Sequence, residues 1–313
     1  MDPLRVIEEL DGFFTTAQLH DLGYEHKAIA AQVRHEVWRR VRRGYFVFAD
    51  TWAGLDEVER HRVRSHMVLH SLGPVVALSH VSGVIEHGIA TWAMDLTRVH
   101  VTRLDGGAGR IEGDVVHHEG MCLDEDLRVH DGHRVLAPER CVLEAASRAE
   151  GAAKLVPLDS LLYLGLGTHE SLAAQFALME RWPYVRSMQV PVRMADGGAQ
   201  TPGETRGRHL FWSARLPCPV TQFEVRDADG TLVGTCDWGW PAHGLLGEFD
   251  GRVKYGRLLK PGQEPGDVVF AEKQREDRLR EVTGFRVVRI IWSDYDRPRL
   301  TVRRIQRLLR SVG

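Results

Sequence analysis

The sequence predicts a mixed α/β (α+β) chain of several units. Helix-period and strand-period segments are interleaved along its length. Its 313 residues exceed one ordinary domain at about 150 residues each. A stretch with Pro191, Gly197, Gly198 and Pro202 sets the last third apart. The expected division is 1–52, 53–185, a linker over 186–202, and 203–313.

The first unit begins with a short amphipathic helix, Leu4 to Leu10, which Gly12 ends. Thr15 or Thr16 caps a second helix that stops at Gly23. A third helix is expected from about Glu25 to Glu36, with Ile29 and Val33 four apart. The segment VWRRVRRGYFVF alternates around a glycine and reads as a β-hairpin. Three short helices followed by a hairpin is the winged helix-turn-helix pattern.

The middle unit is expected to be α+β. Asp56 to Leu72 is helical, and VVALSHVSGVIEHGI reads as one buried helix. TRVHVTR and DVVHHE are short alternating strands. PERCVLEAAS, PLDSLLYLGL and SLAAQFALMERW are helices, the first with Pro138 in its opening turn. The last unit reads Glu204–Leu216 as helix, then VTQFEVRD, GTLVGTCDW and GLLGEFDG as strands. Helix Ala271–Val282, strand FRVVRIIW and helix Thr301–Leu309 follow.

A content of 43% hydrophobic and 27% charged residues excludes a disordered chain. The formal net charge of -2 excludes a uniformly polybasic nucleic-acid binder, so DNA contact must be local. No apolar run approaches the ~20 residues of a membrane span, and acids interrupt the early apolar stretch. A cytoplasmic location is therefore expected. The cysteines Cys122, Cys141, Cys218 and Cys236 form no Cys-x-x-Cys pair, which fits a reducing compartment. Among the histidines, His117 with His118 and His80 with His87 lack the spacing of a recognised metal motif and read as core or surface residues.

Chemistry concentrates in GTCDWGWPAHGLLGEFDG. If PAHG is a hairpin turn, Trp240 pairs with Leu245 and Asp237 faces Glu248. Asp250 lies two residues further on the same face. Like charges directly opposite destabilise a sheet, so a compensating cation is expected. Hard oxygen donors favour Mg²⁺ or Mn²⁺. Lys254 or Lys273 would then assist the attacking water or the developing charge.

These residues resemble the PD-(D/E)XK nuclease superfamily, and within it the group similar to very-short-patch-repair endonucleases. The likeness runs through Thr201-Pro202-Gly203-Glu204-Thr205-Arg206-Gly207-Arg208, the Asp237 strand and Glu248-Phe249-Asp250-Gly251. It implies a restriction-endonuclease-like mixed sheet with flanking helices. It also implies a metal site of Glu204, Asp237 and Glu248, and hydrolysis of phosphodiesters by a metal-activated water. The usual Glu-x-Lys is Glu-x-Asp here. The N-terminal region resembles the winged helix-turn-helix of AbiEi-type antitoxins. VALSHVSGVIEHGI and RVLAPERCVLEAA resemble later segments of the same proteins.

Residues 34–43 independently suit DNA. They carry Arg34, Arg39, Arg40, Arg42 and Arg43 against one glutamate, a pattern made for phosphate contacts. Helix 25–36 would enter the groove, with Glu25, His26, Lys27, Ala30 and Gln32 as candidate base readers. The basic C-terminal RRIQRLLR reads as a packing helix. Two functions follow. One is a metal-dependent endonuclease targeted by its winged helix. The other is a non-enzymatic regulator or antitoxin with a decayed nuclease fold, its partners being DNA and a toxin or a second copy. Neither involves a membrane.

Overall fold

The computed structural model describes residues 2–251 and 265–310, the backbone alone over 265–273. The architecture is mixed α+β, and the chain divides into two compact units. Unit 1 holds residues 1–157 and 166–192. Unit 2 holds 158–165 and 193–313.

Unit 1 opens with α1 (Pro3–Asp11), β1 (Phe14–Thr15), α2 (Thr16–Asp21), α3 (His26–Arg34), β2 (Trp38–Arg42) and β3 (Tyr45–Phe48). The strands form a sheet in the order β1-β3-β2. This is the expected three helices and a wing. Thr15 caps α2 through a full capping box: its Oγ1 accepts from Gln18 N at 3.3 Å, and its own N–H donates to Gln18 Oε1 at 2.7 Å. Gly44 turns the hairpin at φ 84°, a conformation that glycine adopts without steric cost. Leu4, Phe14, Leu19, Ile29, Trp38, Phe46 and Phe48 close one core beneath the helices.

The chain continues through α4 (Ala49–Gly54), α5 (Glu57–Leu72), β4 (Val76–Leu78), α6 (His80–Glu86), β5 (Val99–Arg103), β6 (Arg110–Glu112) and β7 (Val115–His118). Then come β8 (Leu127–His130), β9 (His133–Leu136), α7 (Pro138–Ser147), α8 (Val156–Tyr163), α9 (His169–Leu178) and α10 (Gln189–Met194). The second sheet has the order β6-β7-β5-β4-β9-β8. The single helix expected over VVALSHVSGVIEHGI is instead a strand and a helix. Val76, Ala77 and Leu78 are fully enclosed, and Ser79 is extended before α6 begins. A continuous apolar run has no period by which to separate a buried strand from a buried helix. The strands β6, β8 and β9 also escaped the sequence reading, being short and polar.

The stretch expected to be a linker, 186–202, carries a 3-10 turn (Val185–Met188) and α10. Its end is tied into unit 2. Asp159, wholly buried, accepts from Asp196 N at 2.9 Å, Thr205 Oγ1 at 2.9 Å and Arg208 Nη1 at 2.6 Å. Residues 158–165 therefore group with the last third. Gly197 and Gly198 there sit in close packing. A Cβ at Gly197 would sit 3.1 Å from the Leu162 backbone.

Unit 2 continues with α11 (Pro202–Ser213), β10 (Val220–Arg226), β11 (Leu232–Trp240), β12 (Leu245–Asp250), α12 (Pro265–Thr283), β13 (Arg286–Ile291), α13 (Trp292–Tyr295) and α14 (Pro298–Arg310). The sheet order is β10-β11-β12-β13, antiparallel except for the parallel β12–β13 pair. Phe211 of α11 and Ile305 and Leu309 of α14 pack with Trp238, Trp240, Leu245, Val288 and Ile290 on one face. Leu279 of α12 packs with Val225, Cys236 and Leu246 on the other.

Gly207 is what lets α11 approach β11. A Cβ there would lie 2.3 Å from Trp238 Cζ2, inside any permitted contact. Gly207→Ala is expected to destabilise the protein by about 1–3 kcal/mol, the usual cost of overpacking. Denaturant melts against wild type measure this. An unchanged midpoint would mean that the helix can slide without loss.

Candidate functional site

The hairpin at the centre of unit 2 keeps the expected register, Trp240 with Leu245 and Trp238 with Gly247. Alternation then breaks. Trp238 and Cys236, two residues apart, join opposite cores. Across the ladder, Thr221 pairs with Trp238 and Phe223 with Cys236, while Gln222 between them takes φ 47°. A local irregularity of this kind re-aims side chains. Asp237 sits at the break, and its Oδ2 accepts from Phe249 N at 2.6 Å.

Asp237 and Glu248 therefore do not converge as expected. Glu248 lies on the α12 side, its Oε1 3.9 Å from Cys236 Sγ. It is bonded by Arg275 and stands 3.7 Å from Arg289. Asp250 shares that face and lies 3.8 Å from the Arg289 guanidinium, which also reaches Glu276 at 3.0 Å. The compensating charge that the paired acids called for comes, on this face, from arginine. Arg275 and Arg289 were the residues that sequence reasoning missed. They lie on α12 and β13, distant in sequence from the hairpin, so only the packing of α12 and the parallel β12–β13 pairing bring them in.

Asp237 has a different acidic neighbour. Glu204 stands at the third position of α11, behind the cap formed by Thr201. Its Oε1 accepts from Thr201 Oγ1 at 2.7 Å and its Oε2 from Gln200 N at 2.9 Å. Gln222 Nε2 also reaches Oε2, at 3.4 Å. Burial raises the Asp237 pKa to about 6, and the nearby Glu204 charge adds to the shift. Burial also raises Glu204. Among the described residues, neither carboxylate has an ion-pair partner. The rest of the Thr201–Arg208 motif is structural: Arg208 holds Asp159, and Arg206 lies 4.4 Å over the Tyr295 ring.

Among the described residues, two groups of three potential metal ligands have donor atoms all within 4.8 Å of one another: His80/His100/His118 and His66/Glu86/His133. Glu204, Asp237 and Glu248 are not such a group. Lys254 lies outside the described residues, as does the side chain of Lys273, whose backbone is in α12. The sequence pairing of His80 with His87 does not form, since His87 Nε2 bonds Leu136 O at 2.8 Å.

In the winged helix, α3 buries Ile29 and leaves Glu25, His26, Lys27, Ala30 and Arg34 exposed, with Gln32 half-buried. On the hairpin, Arg39, Arg40 and Arg43 are exposed. The Arg39 and Arg40 guanidinium groups lie 5.6 Å and 5.5 Å over the Trp52 and Phe46 rings. Arg42 differs. It is half-buried, and its Nη1 donates to Asp114 at 3.1 Å.

Residues 1–49 match the model of a family described as "Transcriptional regulator, AbiEi antitoxin". The match spans the winged helix from α1 through β3. No curated protein matches the chain. A solved structure, the RV2827C protein from Mycobacterium tuberculosis, superposes with a TM-score of 0.37 at 14% identity. The match covers 71% of this chain and 87% of that one. No helix among the described residues is long and apolar enough to cross a membrane.

The raised Asp237 pKa has a testable sign. A folded-state value of about 6 against 3.8 means that the folded state favours the protonated acid. That contribution to stability is complete below pH 3.8 and is lost as pH rises through about 6. Asp237→Asn keeps an acceptor for Phe249 N and cannot ionise. The variant is expected to gain on wild type over that window and run parallel to it at higher pH. Denaturation midpoints at stepped pH report the difference, and a constant offset would place Asp237 in a solvated setting.

Proposed function

We propose that this chain is a DNA-binding transcriptional regulator of the AbiEi-antitoxin kind, docking on duplex DNA through its N-terminal winged helix. The observation that carries the reading is the exposed polar face of α3 standing beside exposed Arg39, Arg40 and Arg43 on one closed core. A helix with one apolar stripe buried and the other face open is the element that enters a major groove, while arginines on the wing neutralise phosphates. The family match over residues 1–49 supports it. The antitoxin part of that family's description adds a toxin as a further partner within this proposal.

Arginine contacts with phosphate release counterions, so they set the salt dependence of binding. Arg39→Ala, Arg40→Ala and Arg43→Ala are each expected to reduce the log–log salt slope by about 0.9. Arg42→Ala should change it less, because Asp114 already holds that guanidinium. Fluorescence anisotropy on promoter duplexes at stepped salt is the measurement. Slopes unchanged in all four variants would take the wing out of the interface.

A second reading, phosphodiester hydrolysis in unit 2, rests on a specific observation. Buried Glu204 and half-buried Asp237 are neighbouring carboxylates, both with raised pKa. Two such oxygens suit Mg²⁺ or Mn²⁺, which would supply the acidity that ionises a bound water. Glu248 belongs to the arginine cluster in this reading and not to the metal. Millimolar Mn²⁺ should then raise the melting temperature of wild type and Glu248→Gln, leave Asp237→Asn unmoved, and be needed for plasmid cleavage. A wild type without a Mn²⁺ shift removes this reading and leaves the regulator alone.

A further inference from the structure

Three histidines that neither reading uses converge inside unit 1. His80 opens α6, His100 lies on β5 and His118 ends β7. β5 and β7 run parallel with His100 opposite Val116. Residues two apart on a strand share a face, so His118 projects from the face that carries His100. Helix α6 lies against this sheet, where Ser82 Oγ accepts from His100 N at 2.8 Å, and this brings in His80.

The three rings offer one nitrogen each, all within 4.8 Å of one another. His100 Nδ1 and His118 Nε2 are 2.9 Å apart, and the His80 ring stacks on His118 at 3.6 Å. His80 Nδ1 lies 3.1 Å from both Ser79 Oγ and Glu144 Oε2. That occupies its inner nitrogen and leaves Nε2 as the ligand atom. Glu144 is itself fixed by Arg140 Nε at 2.9 Å. The backbone is strained to aim the ring, since His80 has φ 50°, a conformation uncommon outside glycine.

We propose that His80, His100 and His118 bind a divalent transition metal of the zinc class, with Glu144 orienting His80 as a positioning residue. Imidazole suits zinc, cobalt, nickel and copper, whereas Mg²⁺ and Ca²⁺ take oxygen donors. Three protein ligands leave a fourth position for water or a small ligand. A carboxylate on the far nitrogen of a ligating histidine is the usual way to fix its tautomer and ring orientation. Ligating imidazoles must be neutral. On loading, the proton held between His100 Nδ1 and His118 Nε2 relocates to the far nitrogen of its own ring, so both imidazoles stay neutral and no net proton is released.

The other ligand-like group makes a useful contrast. Glu86 stands 2.9 Å from His66 Nε2 and 3.4 Å from His133 Nδ1, so this triad carries its own counter-charge. No cation is needed there, and His66→Gln serves as the control.

The test uses the full chain, stripped with a chelator and titrated with Co²⁺ and then Zn²⁺. Wild type should take up one equivalent of Co²⁺ with the visible absorption of a four-coordinate site, and Zn²⁺ should displace it and raise the melting temperature. His100→Gln and His118→Gln should lose the band. Glu144→Gln should weaken binding by about 10–100-fold. His66→Gln should bind as wild type does. X-ray absorption on wild type counts imidazole ligands without requiring any variant to fold. A wild type with no cobalt band overturns the proposal. So do fewer than three imidazoles on the metal, or folded His100→Gln and His118→Gln proteins that bind undiminished.

Discussion

The close seating of α11 on β11 organises unit 2. Trp238 fills the space that Gly207 leaves, and Phe211 meets Trp238 and Trp240 edge-on at ring separations of 5.1 Å. Edge-to-face aromatic packing has defined geometry, so it fixes the helix rotation as well as its distance. That rotation carries Glu204 toward Asp237. It also places Gly203 beside Phe249, where a Cβ would come within 2.0 Å of the ring. Both small residues on α11 face β-sheet aromatics, and the acid between them is held where burial raises its pKa.

Charge in this unit is sorted by face. On the α12 side, Glu248 and Asp250 stand among Arg275 and Arg289. On the α11 side, Glu204 and Asp237 have backbone and amide donors in place of guanidinium groups. Glu248 and Asp250 are buried, whereas Arg275 and Arg289 reach partly into solvent, which screens these pairs on the arginine side. On the α11 side the two neighbouring carboxylates favour their protonated forms. The break in strand alternation at Asp237 is what separates the two faces.

Unit 1 shows the same economy in histidine. His61 bridges Leu96 O and Ser82 Oγ at 2.9 Å and 2.8 Å, and burial lowers its pKa to about 4. It is a satisfied core histidine, as most of these residues were expected to be. His80, His100 and His118 differ because only one of the three has a carboxylate beside it. Residue type alone does not separate these cases. The partner set does.

Much of this architecture was legible in the sequence. Local capping and turn chemistry marked the winged helix, through Thr15, Gly12 and Gly44, because those signals act within four residues. The hairpin register followed from PAHG and the flanking tryptophan and leucine. The arginine-bearing wing was equally plain. Other features belong to the tertiary structure. Strict alternation predicts Asp237 and Glu248 on one face, and a non-glycine residue at positive φ in the neighbouring strand accompanies the break from it. Gln222 reveals nothing of that in its type. Arg275 and Arg289 became partners of Glu248 only through the parallel β12–β13 pairing and the packing of α12. The histidine cluster likewise needed a parallel strand register and a helix docked on the sheet. Contacts between distant segments depend on which faces are buried together, and that is decided when the layers pack.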